Sequence, residues 1–98
     1  MQHRRYYITD LTLSGQVLDG RGGDLIVAKR DESPDIDWEL VFQTKIETPI
    51  EQAPFRLLMD GPEGELAGAA VLVRSDGTSH VFRGAGELVG FTEDMFEN

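Results

Sequence analysis

The sequence predicts an all-β fold: about six antiparallel strands in meander order, wrapped into a small barrel or a strongly curled sheet. Three observations carry that prediction. Apolar and polar residues alternate with period two over most of the length, turn-forming residues recur at short intervals, and one strand is too long to lie flat in so small a domain. A chain of 98 residues forms a single domain, residues 1–98, with no internal repeat, low-complexity tract or linker. At that size roughly 65% of the unfolded surface is buried, enough for one modest core.

The clearest strand covers residues 36–46. Ile36, Trp38, Leu40, Phe42 and Ile46 fall on one face, Thr44 interrupts that face, and the opposite face is polar apart from Val41. This is the signature of an antiparallel strand with one side on the core and one in water. At about 3.3 Å per residue it spans roughly 36 Å. That is comparable to the whole diameter implied by a radius of gyration near 13 Å. Such a strand must bend around the core, hence the barrel or curled sheet.

The remaining strands follow in order. Residues 5–18 are rich in Tyr, Ile, Thr and Leu, with Gly15 expected as a bulge or bend. Residues 24–30 carry Leu25, Ile26, Val27 and Ala28 after a glycine-rich loop, Asp19-Gly20-Arg21-Gly22-Gly23. Residues 54–60 alternate through Phe55, Leu57 and Met59. Residues 65–74 and 78–90 complete the set, joined by a hairpin at Asp76-Gly77. Thr92 and Glu93 open one further turn that returns Met95 and Phe96 to the core. The expected core is Ile8, Leu25, Val27, Trp38, Leu40, Phe42, Ile46, Phe55, Leu57, Leu72, Phe82 and Leu88.

Composition narrows the function classes. No cysteine is present, which removes disulfides, thiolate metal sites and thiol nucleophiles and suits a reducing compartment. No stretch has the length of a signal-peptide core or a membrane span, so a cytoplasmic protein is expected. Net charge is −9, with five basic against three acidic residues in 1–30 and four against fifteen in 31–98. The acidic part repels nucleic acid and anionic membranes alike, so neither is an expected partner.

Several motifs suggest chemistry and are better explained without it. Gly84-Ala85-Gly86-Glu87-Leu88-Val89-Gly90 has the look of a dinucleotide loop. Its spacing is wrong, however, and too little chain follows for the helix that binds a pyrophosphate. Small residues where a curled strand crosses a neighbour explain it. The segment from Asp19 to Ile26 matches a single unit of the calcium-binding glycine/aspartate repeats, which work only when stacked. Asp31, Glu32, Asp35 and Asp37 crowd one loop, yet Pro34 lies among them and no glycine makes the bend of a calcium loop. No metal and no cofactor is expected.

His3 and His80 are the histidines. A serine–histidine–aspartate set can be drawn from Ser79, His80 and Asp76, but neighbouring strand residues point to opposite faces, so Ser79 and His80 cannot meet. The candidate ligand-binding residues are Trp38, His80, Arg83 and Tyr6, since aromatic rings with a converging charge make a common pocket. No catalytic residue is assigned, and an enzyme is the less favoured class.

Three functions remain open. The first is a non-enzymatic interaction module that self-associates as a homodimer, because the first and last strands offer poorly protected edges and Phe91, Met95 and Phe96 add apolar surface. The second is a small-ligand-binding barrel with an apolar cavity beneath Trp38. The third is an isomerase- or hydrolase-type enzyme in which His80 works with a carboxylate in a cleft.

Overall fold

The computed structural model describes residues 2–97. Eight strands run in the order β1 (Gln2–Ile8), β2 (Asp10–Leu13), β3 (Gln16–Leu18), β4 (Gly20–Lys29), β5 (Ile36–Thr44), β6 (Pro54–Gly61), β7 (Gly64–Asp76) and β8 (Ser79–Gly84), followed by a 3-10 turn at Glu93–Glu97. They form one antiparallel sheet, β1-β4-β5-β8-β7-β6-β2-β3. The all-β, meander-like, strongly curled architecture is therefore the one the sequence predicts. The curl brings the sheet back on itself. Only Thr9 separates β1 from β2, yet β1 pairs with β4 while β2 pairs with β6.

The strand count rises from six to eight because residues 5–18 are not one strand. The chain breaks at Thr9, whose amide donates to the Asp60 carbonyl at 3.0 Å. It then reverses at Ser14-Gly15, which joins the paired residues Leu13 and Gln16. Gly15 is thus the tip of a hairpin rather than a bulge. Ser14 and Gly15 have φ of 47° and 88°, the left-handed pair whose twist matches that of the flanking strands. A second correction concerns the glycine-rich loop. Its glycines lie inside β4, which opens at Gly20 and absorbs a register shift between Gly20 and Gly22 against β5.

The inner face is apolar except at Thr44 and His80. Leu25, Val27, Leu40, Phe42, Leu57, Met59, Leu72 and Phe82 are buried there, with Tyr6, Ile8, Leu11, Leu13, Leu66 and Ala70 filling the remaining space. Each such large side chain contributes on the order of 1.5–3 kcal/mol relative to exposure. Two expected core residues differ. Ile46 is 75% exposed, because β5 ends at Thr44, whose hydroxyl donates to the Ile46 carbonyl at 2.8 Å and turns the chain off the sheet. Phe55 is half-buried at the rim, edge-on to Phe82 with centroids 6.2 Å apart.

After Gly84 the chain stays beside β7. Ala85 donates to the Ala69 carbonyl, and Val89 exchanges both backbone bonds with Ala67. Phe91 then turns inward against Tyr6 and Phe96, with edge-to-face centroid distances of 6.1 and 4.9 Å. Arg4 and the Tyr6 hydroxyl both donate to the Met95 carbonyl, at 3.1 and 3.0 Å. Met95 and Phe96 do return to the core, half-buried. The tail is therefore a plug. Phe91, Met95 and Phe96 are not free apolar surface, and β8 is no edge but is paired with β5 and β7, so neither the tail nor the last strand supports association.

Candidate functional site

The four candidate ligand-binding residues do not converge. Trp38 and Tyr6 are buried near the end that the tail covers, and both polar atoms are used internally. The Trp38 indole donates to the Gly86 carbonyl at 3.0 Å, and Tyr6 donates to Met95. His80 lies near the opposite end of β5, paired with Phe42, roughly 13 Å along the strand from Trp38. Arg83 points outward, largely exposed, with its guanidinium 3.8 Å from Glu39. The space against Trp38 is filled by the ring itself, which packs on Gly68 and Gly84.

His80 is 0% exposed, and hydroxyls rather than a carboxylate hold it. Its Nδ1 is 2.6 Å from Ser75 Oγ and its Nε2 is 3.1 Å from Thr44 Oγ1. The Thr44 hydroxyl proton is committed to the Ile46 carbonyl. Nε2 therefore carries the imidazole proton and donates to Thr44, while Nδ1 accepts from Ser75. Burial holds the imidazole below its ordinary pKa, which favours the neutral ring. The residues drawn together in the sequence are dispersed: Asp76 pairs with Arg74 at 2.6 Å, and Ser79 accepts from Gln43 at 3.1 Å. Ser75 is a residue that sequence reasoning misses. The hairpin register is the signal that finds it, since pairing Asp76 with Ser79 sets Ser75 directly opposite His80. This chain of neutral donors and acceptors ties β5, β7 and β8 together at one end of the sheet.

The most distinctive surface is the outer face of β3, β2, β6 and β7. One row of outward residues crosses it, read from the register as Val17, Thr12, Leu58, Ala67 and Val89. Val17 is 75%, Leu58 40% and Val89 51% exposed. Along β7 the outward positions Ala67, Ala69, Val71 and Val73 are all uncharged, while Leu66, Gly68, Ala70 and Leu72 face inward. A shallow groove of about 260 Å³ lies on this face, lined by Thr12, Ser14, Arg56, Leu58 and Ala67 among others. It adjoins β3, which has a neighbour on one side only. Sequence reasoning misses this face, although a signal is present. The run from Leu66 to Val73 does not alternate, and a strand apolar on both sides requires cover on both.

Flanking rows carry charge. Arg56 stands beside Ala69 on one side of the apolar row. Asp10, Asp60 and Glu65 sit abreast on the other. Among the described residues none of these four side chains has an ion-pair partner. No group of three or more histidine and acidic residues among the described residues is arranged to hold a metal ion. No described helix is long and apolar enough to cross a membrane. No protein-family model, curated protein or solved structure matches the chain.

Proposed function

We propose that this domain is a non-enzymatic interaction module that self-associates through the outer face of β2, β6 and β7. The observation that supports this reading is the exposed row of Val17, Thr12, Leu58, Ala67 and Val89 across five neighbouring chain segments. In a chain where 28% of residues are charged, a contiguous uncharged strip on an outer sheet face is the usual mark of a contact surface. A cytoplasmic setting belongs to the same reading, since a chain without cysteine suits a reducing compartment. So does the absence of nucleic-acid partners, given the net charge of −9.

Static light scattering over a concentration series tests the reading. The expected mass rises above 10.9 kDa with concentration for the native chain. Leu58→Glu and Val89→Glu should hold the protein at monomer mass, while Ile46→Glu, at an exposed apolar position off this face, should leave association intact. A native chain that stays at 10.9 kDa throughout, or association indifferent to Leu58→Glu, overturns it.

A further inference from the structure

Arg56, Leu58 and Asp60 are successive outward residues of β6, and their order along the strand selects one way of placing two copies face to face. From these positions we infer that the partner is a second copy of this chain, related by a two-fold axis running along the Leu58 row, so that Arg56 of each copy meets Asp60 of the other. The inference rests on the self-association proposed above and adds its geometry.

Successive outward residues on a strand are separated by about 6.7 Å. Arg56 and Asp60 therefore lie at equal distances on either side of Leu58. With the strands of the two sheets aligned, two face-to-face arrangements keep Leu58 on Leu58. An axis along β6 sets Arg56 on Arg56 and Asp60 on Asp60, which places like charges together. An axis along the apolar row runs the two β6 strands antiparallel and converts both contacts into opposite-charge pairs. Being isologous, it makes the one Arg56–Asp60 pair twice.

The acidic row sharpens the choice. Asp10, Asp60 and Glu65 occupy directly paired positions on β2, β6 and β7, where like charges side by side are unfavourable. Neither Arg56 nor any of the three carboxylates has an ion-pair partner among the described residues. The two-fold partner supplies the missing cation from the one basic residue on these outward rows of β6. The neutral positions match as well, since Ala69 of one copy falls over Glu65 of the other without a charge clash.

Five chain segments at about 4.8 Å spacing and three rows at about 6.7 Å give a patch of roughly 24 by 20 Å, near 1,000 Å² buried in total. That is the lower limit for a specific interface. The association is weak and concentration-dependent, and the net charge of −9 adds a repulsion that salt screens.

A charge-swap experiment tests the geometry. Arg56→Asp and Asp60→Arg are each examined alone, mixed in equal amounts, and combined in one chain, with masses measured by sedimentation velocity. Each single variant sets like charges in both contacts and should associate at least about tenfold more weakly than the native chain. The mixture should regain association as a heterodimer, because the two acidic positions of one copy then face the two basic positions of the other. The combined variant should regain it as a homodimer. Circular dichroism confirms that each variant folds, and regained association in the mixture confirms it independently. If the native chain associates but neither the mixture nor the combined variant regains association, this geometry is wrong while the parent reading stands. If the native chain never associates, the parent reading fails and this one with it.

Discussion

Trp38 rests directly on the backbone of Gly84. A Cβ built on that glycine would lie 2.6 Å from Cδ2 of the indole, and one on Gly68 would lie 2.7 Å from Cζ2. Gly84, the first glycine of the stretch that resembles a phosphate loop in the sequence, thus makes room, with Gly68, for the largest side chain in the chain. Gly84→Ala should cost about 1–3 kcal/mol through overpacking, and Trp38→Ala about 3–5 kcal/mol through the cavity it leaves. Urea unfolding curves measure both. Intrinsic fluorescence should be blue-shifted in the native state. Emission at the wavelength of free tryptophan in water would contradict the burial of Trp38.

The Ser75–His80–Thr44 chain makes stability depend on pH. Burial lowers the imidazole pKa in the folded state, so the unfolded chain binds a proton that the folded chain refuses. The stabilisation is complete above the ordinary histidine range near 6.5 and is lost as pH falls through it. The urea midpoint should therefore drop between about pH 7.5 and about pH 5.5, and His80→Gln should flatten that drop. Ser75→Ala leaves Nδ1 without its donor and should cost about 1–3 kcal/mol at neutral pH. A midpoint in the native protein that does not move across this window refutes the assignment.

The C-terminal plug is held by one aromatic cluster, one carbonyl and the Lys29–Glu93 ion pair. Phe91 packs against Tyr6 and Phe96, and Met95 accepts from Arg4 and Tyr6. Phe91→Ala should cost about 3–5 kcal/mol and accelerate amide exchange in the tail and in β1. Unchanged exchange at Tyr6 in that variant would mean that the tail packs independently of the sheet.

The fold is legible in the sequence where burial is one-sided. Residues 36–44 alternate because one face meets the core and the other water, and the short turns report themselves through glycine, aspartate and proline. Gly15 and the glycines of β4 are misread because glycine marks hairpin tips, bulges and loops alike, and only the partner strand's register separates them. Thr44 and His80 interrupt apolar faces in the sequence and prove to be each other's partners, a pairing across strands that no local pattern encodes. The outer face escapes notice for a related reason. Val17, Leu58 and Val89 lie far apart in the chain, and adjacency across the sheet brings them into one row.

The central claim is that the face of β2, β6 and β7 meets a second copy of itself. Amide chemical shifts of the native protein followed through a dilution series test it residue by residue. The account predicts concentration-dependent shifts at Thr12, Arg56, Leu58, Asp60, Ala67 and Val89, with Ser75, His80 and the outer face of β4 unmoved. Shifts that are constant up to millimolar protein, or that move on β4 while Leu58 stays still, would contradict it.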